Sequence, residues 1–289
     1  MSEKDVDELS GVSTTGHVWD GIRELDNPMP RWWLIVYYAT VVWAVLYMFA
    51  YPAWPLIRTA TTGLLGYSSR KEISTELEAA KAAKAGYTAA IASKSIDEIL
   101  ADEKLRTFAV AAGAAAFKVN CVQCHGSGAQ GSPGYPNLND DDWLWGGRPQ
   151  DILQTITHGI RYAEDPETRA VDMPAFGSIL QPQQVKQVAA FVHSLSNKAD
   201  SVKPEDLAAG KTIFAENCAA CHGPEGKGNH EFGAPNLTDA IWFYGSTVDA
   251  IAAQVRSPRH GVMPAWGARL GPTTVKELAA YVHSLGGGQ

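Results

Sequence analysis

The chain has 289 residues, with Lys+Arg 24 against Asp+Glu 31 and a formal net charge of −7. That balance excludes the basic footprint of a nucleic-acid binder, and 45% hydrophobic with 19% charged residues excludes a largely disordered chain. A mean hydropathy of −0.14 excludes a polytopic membrane protein but leaves room for one apolar segment. Four cysteines are too few for a disulfide scaffold at this length, so their spacing carries the information.

Residues 1–31 are polar and acidic and lack the basic n-region of a cleavable signal peptide. Trp32–Ala53 then runs without a charge between Arg31 and Arg58. A helix of that length covers about 33 Å, enough for a hydrocarbon core of about 30 Å, so a membrane anchor is expected over residues 32–54. Trp32 and Trp33 at one end and Tyr51 and Trp54 at the other suit the two interfaces, and Pro52 and Pro55 mark the exit. A buried core helix would carry a polar seam, which this stretch lacks. Arg23 and Arg31 before it are balanced by Arg58, Arg70 and Lys71 after it, so flanking charge gives no orientation.

Residues 55–105 read as a helical linker. Lys71–Ala92 is rich in Ala, Lys and Glu, and Glu78 and Lys81 are spaced to pair on one helix face. Ser95, three residues before Glu98, has the form of a capping box opening a helix that docks on the next domain.

An internal repeat dominates the remainder. AAGAAAFKVNCVQCHG (Ala111–Gly126) returns as AAGKTIFAENCAACHG (Ala208–Gly223), and YPNLNDDDW (Tyr135–Trp143) as APNLTDAIW (Ala234–Trp242). MPAFG (Met173–Gly177) returns as MPAWG (Met263–Gly267), and QVAAFVHSL (Gln187–Leu195) as ELAAYVHSL (Glu277–Leu285). The first copy is the longer one between Trp143 and Met173, an excess assigned to His158–Asp172. Two homologous domains are expected, residues 106–197 and 204–289, joined at Ser196–Pro204. Each reads as helix, cysteine loop, irregular stretch and terminal amphipathic helix, with no run of alternating strands. The expected fold is all-α: one N-terminal transmembrane helix followed by two tandem domains, each too small to stand without something to fill its core.

The chemistry lies in Cys-x-x-Cys-His, present as Cys121, Cys124, His125 and again as Cys218, Cys221, His222. This is the spacing of covalent c-type haem attachment, with two thiols for the porphyrin vinyl groups and the next imidazole for the iron. A thioredoxin-like pair would need a βαβ context, and a zinc site would need further ligands at finger spacing. For the second axial ligand, Met173 and Met263 are the methionines inside the repeats, one in each, at matching positions before Pro-Ala-aromatic-Gly. His158, in the longer loop of the first copy, competes with Met173, and His260 with Met263 more weakly. His193 and His283 recur on the last helices and read as packing or surface residues. Pro136 and Pro235 are placed to offer a carbonyl to the proximal imidazole. Phe117, Phe214, Trp143, Trp242, Phe176 and Trp266 are expected to wall the haem pockets.

Covalent haem of this kind belongs to an oxidising face. The expected topology is therefore a single pass through a bacterial inner membrane, with a cytoplasmic N-terminus and periplasmic haem domains.

With the two CxxCH…MPA(F/W) units on view, the chain resembles the dihaem c-type cytochrome subunit, subunit III, of cbb3-type cytochrome c oxidases. WDGIRELDNPMPRWWLIVYY (Trp19–Tyr38) followed by YPAWP (Tyr51–Pro55) is similar to that family's N-terminal signature. The resemblance covers nearly the whole chain. It implies two His/Met haems, with His125 and His222 proximal and Met173 and Met263 distal. It also implies electron transfer from a donor cytochrome c toward a haem–copper catalytic subunit, with a monohaem cytochrome c subunit as a further partner and no catalytic site on this chain. Family members with two spans exist; this chain has one. Two other readings of the residues are a dihaem peroxidase, which needs an open iron position, and a dihaem subunit of another membrane oxidoreductase.

Overall fold

The computed structural model describes residues 5–196 and 203–286. Most of the expected junction Ser196–Pro204 thus lies outside the described residues. The chain divides into two units, Met1–Ala83 and Lys84–Gln289.

The first unit opens on an antiparallel hairpin, β1 (Thr14–Trp19) and β2 (Ile22–Leu25), turning through Asp20 and Gly21, both at positive φ. Positive φ at both turn positions matches the right-handed twist of the strands. The hairpin was not anticipated, because its six- and four-residue strands are largely exposed and have no clean apolar alternation. Helix α1 (Arg31–Ala50) follows, with no residue buried. It ends at Ala50, short of the expected bound at 54, because Pro52 disfavours helical geometry at Tyr51, which is extended. The chain then folds back on the helix end. Leu64 and Leu65 donate N–H bonds to the carbonyls of Phe49 and Ala50, at 2.9 and 3.1 Å, which satisfies groups a helix terminus leaves open.

Helix α2 (Ser69–Ser93) matches the expected linker helix, and its Glu78–Lys81 pair forms at 2.8 Å. Ser95 and Glu98 form the capping box of α3 (Ile96–Ala101), whose Ile96 and Ile99 are buried. Asp102 caps α4 (Glu103–Asn120), which leads into the short α5 (Val122–His125) of the first cysteine motif. Then come α6 (Pro149–His158), a 3₁₀ turn (Phe176–Ser178) and α7 (Pro182–Ser196). The second repeat supplies α8 (Pro204–Asn217), α9 (Ala219–His222), α10 (Val248–Arg256) and α11 (Gly267–Ser284). Helix α11 is broken at Gly271, where φ is 78°, ahead of Pro272.

The packing within Lys84–Gln289 crosses between the repeats. One core joins Phe117 and Ala109 of α4 and Ile152 and Ile156 of α6 to Val275 and Leu278 of α11. The other joins Ile213 and Phe214 of α8 and Ile251 and Val255 of α10 to Val185 and Val188 of α7. Two glycines permit the helix crossings. A β-carbon at Gly113 of α4 would lie 2.1 Å from the Glu277 carbonyl oxygen of α11, and one at Gly210 of α8 would lie 2.1 Å from that of Gln187 of α7. Aromatic pairs follow the same exchange, Phe117 with Tyr281 at 5.3 Å and Phe214 with Phe191 at 5.4 Å. The bounds 106–197 and 204–289 therefore describe repeats of sequence, while each core combines the cysteine half of one repeat with the terminal helix of the other. The connecting strands cross where Ile160 and Met263 exchange backbone hydrogen bonds of 2.9 and 3.0 Å.

Candidate haem sites

Each cysteine motif is one helical turn built on the end of a long helix. Cys121 donates its N–H to the Phe117 carbonyl at 2.9 Å, and His125 donates to Cys121 at 3.0 Å; Cys218 and His222 repeat this at 2.8 and 2.9 Å. Gly126 and Gly223, at φ 81° and 77°, stop each turn so that the chain can leave beneath the imidazole. None of the four cysteines is joined to another in a disulfide. Burial, with a smaller contribution from the neighbouring thiol, pushes Cys121 and Cys218 up to about 11.

The imidazoles of the two cysteine motifs meet the proline carbonyls expected to orient them. His125 Nδ1 lies 3.1 Å from the Pro136 carbonyl oxygen, and His222 Nδ1 lies 3.1 Å from that of Pro235. Burial lowers both histidines below the usual imidazole range, against a smaller opposing effect of that carbonyl bond. A neutral ring whose Nδ1–H is committed to a carbonyl leaves Nε2 as its free donor, the state a metal-ligating histidine requires.

One continuous cavity is lined by His125, His222, Met173, Met263, Phe117 and Phe214, among others. Phe117 and Phe214, expected as pocket walls, are 1% and 2% exposed and are the largest of the fully buried side chains among the described residues. The methionines are exchanged with the helices. Met263 packs against the core that holds Phe117 and Cys121, and Met173 against the one that holds Phe214 and Cys218. Each methionine thus packs with the cysteine motif of the other repeat rather than with that of its own. The cause is the crossing at Ile160 and Met263, which carries each Met-Pro-Ala loop and the helix behind it to the other repeat's cysteine half. Donors, thiols and apolar walls together fit two covalently attached haems.

His158, the expected competitor of Met173, has both ring nitrogens taken, Nδ1 by Asp165 and Nε2 by Glu167, each at 3.1 Å. His260 Nδ1 lies 3.6 Å from Asp172. His193 Nδ1 lies 2.7 Å from the Ser246 carbonyl oxygen, in keeping with a packing role.

The sequence reading missed Trp145 and Tyr244, which occupy one register of the two repeats and line the same cavity. It also missed the purpose of Gly113 and Gly210. The signal was present in both cases, as an aromatic two residues after Trp143 and Trp242 and as a glycine recurring in each AAG.

An apolar helix long enough to cross a membrane, ahead of two Cys-x-x-Cys-His cores each closed by a Met-Pro-Ala loop, defines a membrane-anchored dihaem c-type cytochrome. Three family models match: the N-terminal domain of cytochrome oxidase-cbb3, FixP, over residues 11–58, cytochrome c over 110–196, and cytochrome c oxidase, cbb3-type, subunit III, over 205–282. The cbb3-type cytochrome c oxidase subunit FixP of Sinorhizobium medicae is 60% identical over 99% of this chain and 98% of its own length. Subunit FixPc of Rhizobium leguminosarum is 58% identical over all of both chains, and subunit CcoP of Cereibacter sphaeroides 51% identical over all of both. The chain belongs to this FixP/CcoP family: it is an electron-transfer subunit of a terminal oxidase, carrying two c-type haems.

Proposed function

We propose that Cys121 and Cys124 attach one haem, with His125 as proximal and Met263 as distal ligand, and that Cys218 and Cys221 attach the other, with His222 and Met173. The observation that carries this pairing is the packing of each methionine into the core of the other repeat's cysteine motif. When bound, haem supplies a one-electron iron couple, and thioether ligation holds its potential above that of a second imidazole. The chain's own part is to fix the rings. Two thiols tether each porphyrin, a neutral imidazole is oriented by Pro136 or Pro235, and buried aromatics exclude water. Electrons come from a donor cytochrome c and leave toward a haem–copper catalytic subunit, with a monohaem cytochrome c subunit as the third component. The N-terminus is cytoplasmic and Lys84–Gln289 periplasmic, since covalent haem is assembled on an oxidising face.

The assignment is tested by replacing both cysteines of one motif with alanine. Cys121→Ala/Cys124→Ala and Cys218→Ala/Cys221→Ala are each expected to halve the covalent haem stain of the full chain. A double variant that still binds two haems per chain would overturn the assignment. Externally added protease should degrade Lys84–Gln289 in spheroplasts; protection there would overturn the topology.

A further inference from the structure

The loops that orient the proximal histidines are touched by the opposite repeat. Pro136 and Pro235 follow Gly134 and Gly233 by two residues, and these glycines sit at φ +86° and +60°. A β-carbon on Gly233 would lie 2.2 Å from Cζ2 of Trp145, and one on Gly134 would lie 3.2 Å from Cε1 of Tyr244. Trp145 of the first repeat therefore lies directly on the bare backbone of the second, and Tyr244 does the reverse.

Each ring is itself held. The Arg169 guanidinium stands 5.3 Å from the Trp145 ring centre and donates to the Trp145 carbonyl at 3.1 Å. Arg259 stands 4.2 Å from the ring of Tyr244. The glycine loops have little slack to absorb a displacement. β-Carbons at Gly131 and Gly228 would lie 2.7 and 2.9 Å from the carbonyl carbons of Pro136 and Pro235. The N–H groups of the same two glycines donate to the carbonyls of His125 and His222, both at 2.8 Å. A push or release at Gly233 is thus passed to the carbonyl that accepts from His222, and one at Gly134 to the carbonyl that accepts from His125.

We infer that Trp145 and Tyr244 are reciprocal positioning residues, Trp145 setting the proximal hydrogen bond of His222 and Tyr244 that of His125. The inference rests on the ligand assignment proposed above. A firm Nδ1–H···O=C bond makes the imidazole a stronger donor, which favours the oxidised iron; loosening it raises the reduction potential. The control therefore runs across the repeats. The two arms are unequal. Trp145 makes the closer contact, whereas Gly134 is also held by its own N–H bond of 3.0 Å to the Phe243 carbonyl, so removing Tyr244 leaves that loop partly clamped.

The test is potentiometric titration of the full-length chain carrying both haems. The two waves are assigned by which one is missing from each double-cysteine variant. Trp145→Ala is expected to raise the wave of the Cys218/Cys221 haem by roughly tenfold in the reduction equilibrium, about 59 mV for one electron. It should leave the other wave in place, and Trp145→Phe should titrate close to wild type. Tyr244→Ala should raise the Cys121/Cys124 wave by a smaller factor. If Trp145→Ala does not retain two haems, Trp145→Leu is titrated in its place with the same expectation. A shift confined to the Cys121/Cys124 haem would overturn the inference, since Trp145 would then act on the haem of its own repeat. So would no shift in either wave, or an equal shift with Trp145→Phe. A wild-type chain with other than two haems, or without a methionine–iron charge-transfer band, would instead overturn the ligand assignment.

Discussion

In the first repeat the chain leaves α6 at Gly159 and runs through Asp172 before reaching Met173; in the second it leaves α10 at Ser257 and reaches Met263 after Val262. Both segments deliver a Met-Pro-Ala loop and a terminal helix to the opposite cysteine motif. The longer segment also carries polar contacts, Asp165 and Glu167 with the ring nitrogens of His158, and the Arg161–Asp172 ion pair. What the repeats share is the apolar face that meets a partner, Gly113 or Gly210 against the last helix and Phe117 or Phe214 against its aromatic. Where those faces are equivalent, exchanging them costs little beyond the connection, and identical contacts form whichever copy supplies them. Where the repeats differ, at Asp142 against Ile241 or Arg148 against Thr247, the difference is local and leaves the exchange untouched.

The helix crossing offers the largest effect. Gly113→Leu would drive a side chain into the Glu277 carbonyl and into Cβ of Tyr281, 2.1 and 2.7 Å from the first added carbon. Overpacking against backbone should cost about 3 kcal/mol or more. Denaturant titration gives the loss, and amide exchange gives its address: α11 should lose protection while α7 keeps it. Gly210→Leu should do the converse, with α7 losing protection. If Gly113→Leu exposed α7 instead, each repeat would be closing on itself.

The methionines probe the same exchange with a smaller energy. Met263→His should lower the potential of the haem on Cys121 and Cys124, on the order of 100 mV given the span over which axial ligands set haem potentials. Met173→His should lower that of the haem on Cys218 and Cys221. Each shift is read against the wave that disappears in the matching double-cysteine variant. A shift of the same-repeat haem would return both methionines to their own motifs.

Much of this was open to a reader of the sequence. The anchor, the Ser95–Glu98 cap, the Glu78–Lys81 pair, the cysteine turns and the proline carbonyls all follow from short-range rules. A cap, a thioether spacing or a proline geometry is decided within a few residues. The partner of each terminal helix was not legible, and the reason is physical. FVHSL and YVHSL present nearly the same face, so the hydrophobic pattern specifies what α4 must meet without specifying which copy provides it. Tertiary connection decides that, through the crossing at Ile160 and Met263. The hairpin of Thr14–Leu25 escaped for a different cause: too little of it is buried to impose an alternating pattern.

Asp142 and Ile241 are counterparts in the cavity wall. Their N–H groups make equivalent bonds, to Asp140 Oδ1 at 3.3 Å and Asp239 Oδ1 at 2.9 Å, but the Asp142 side chain leaves a buried Oδ2 without a hydrogen-bond partner. Burial first, then the charges of Asp239, Asp140 and Asp141, push this carboxyl up to about 6 from 3.8. The raised value means that the folded state favours the protonated form. The contribution is fully present below about pH 4 and lost as pH rises through 6. Asp142→Asn should therefore be the more stable protein at pH 8, by about 1 kcal/mol once solvent screening of a half-buried group is allowed for. The gap should close below pH 4. Thermal melts across that range check it, and a pH-independent difference would show that Asp142 acts by packing alone.

The smallest effect separates the two ways of starting equivalent helices. Helix α10 is capped by Thr247, whose hydroxyl accepts from the Ala250 N–H at 3.2 Å. Helix α6 begins at Pro149 after an N-cap Arg148 that makes no side-chain cap, and relies on that proline and on an Arg148–Asp151 ion pair of 2.8 Å. Removing a threonine cap typically costs about 1 kcal/mol, whereas an ion pair with one exposed partner contributes a few tenths. Thr247→Ala should thus destabilise more than Arg148→Ala. Arg148→Thr should come out near neutral, because the cap it introduces offsets the ion pair it removes. Proline at the first helical position leaves one orphan N–H fewer to satisfy, so the gain from a new cap is smaller in α6 than the loss in α10. Urea midpoints of the three variants order these effects. An Arg148→Thr protein as weakened as Thr247→Ala would mean that the ion pair, and not the proline, holds the start of α6.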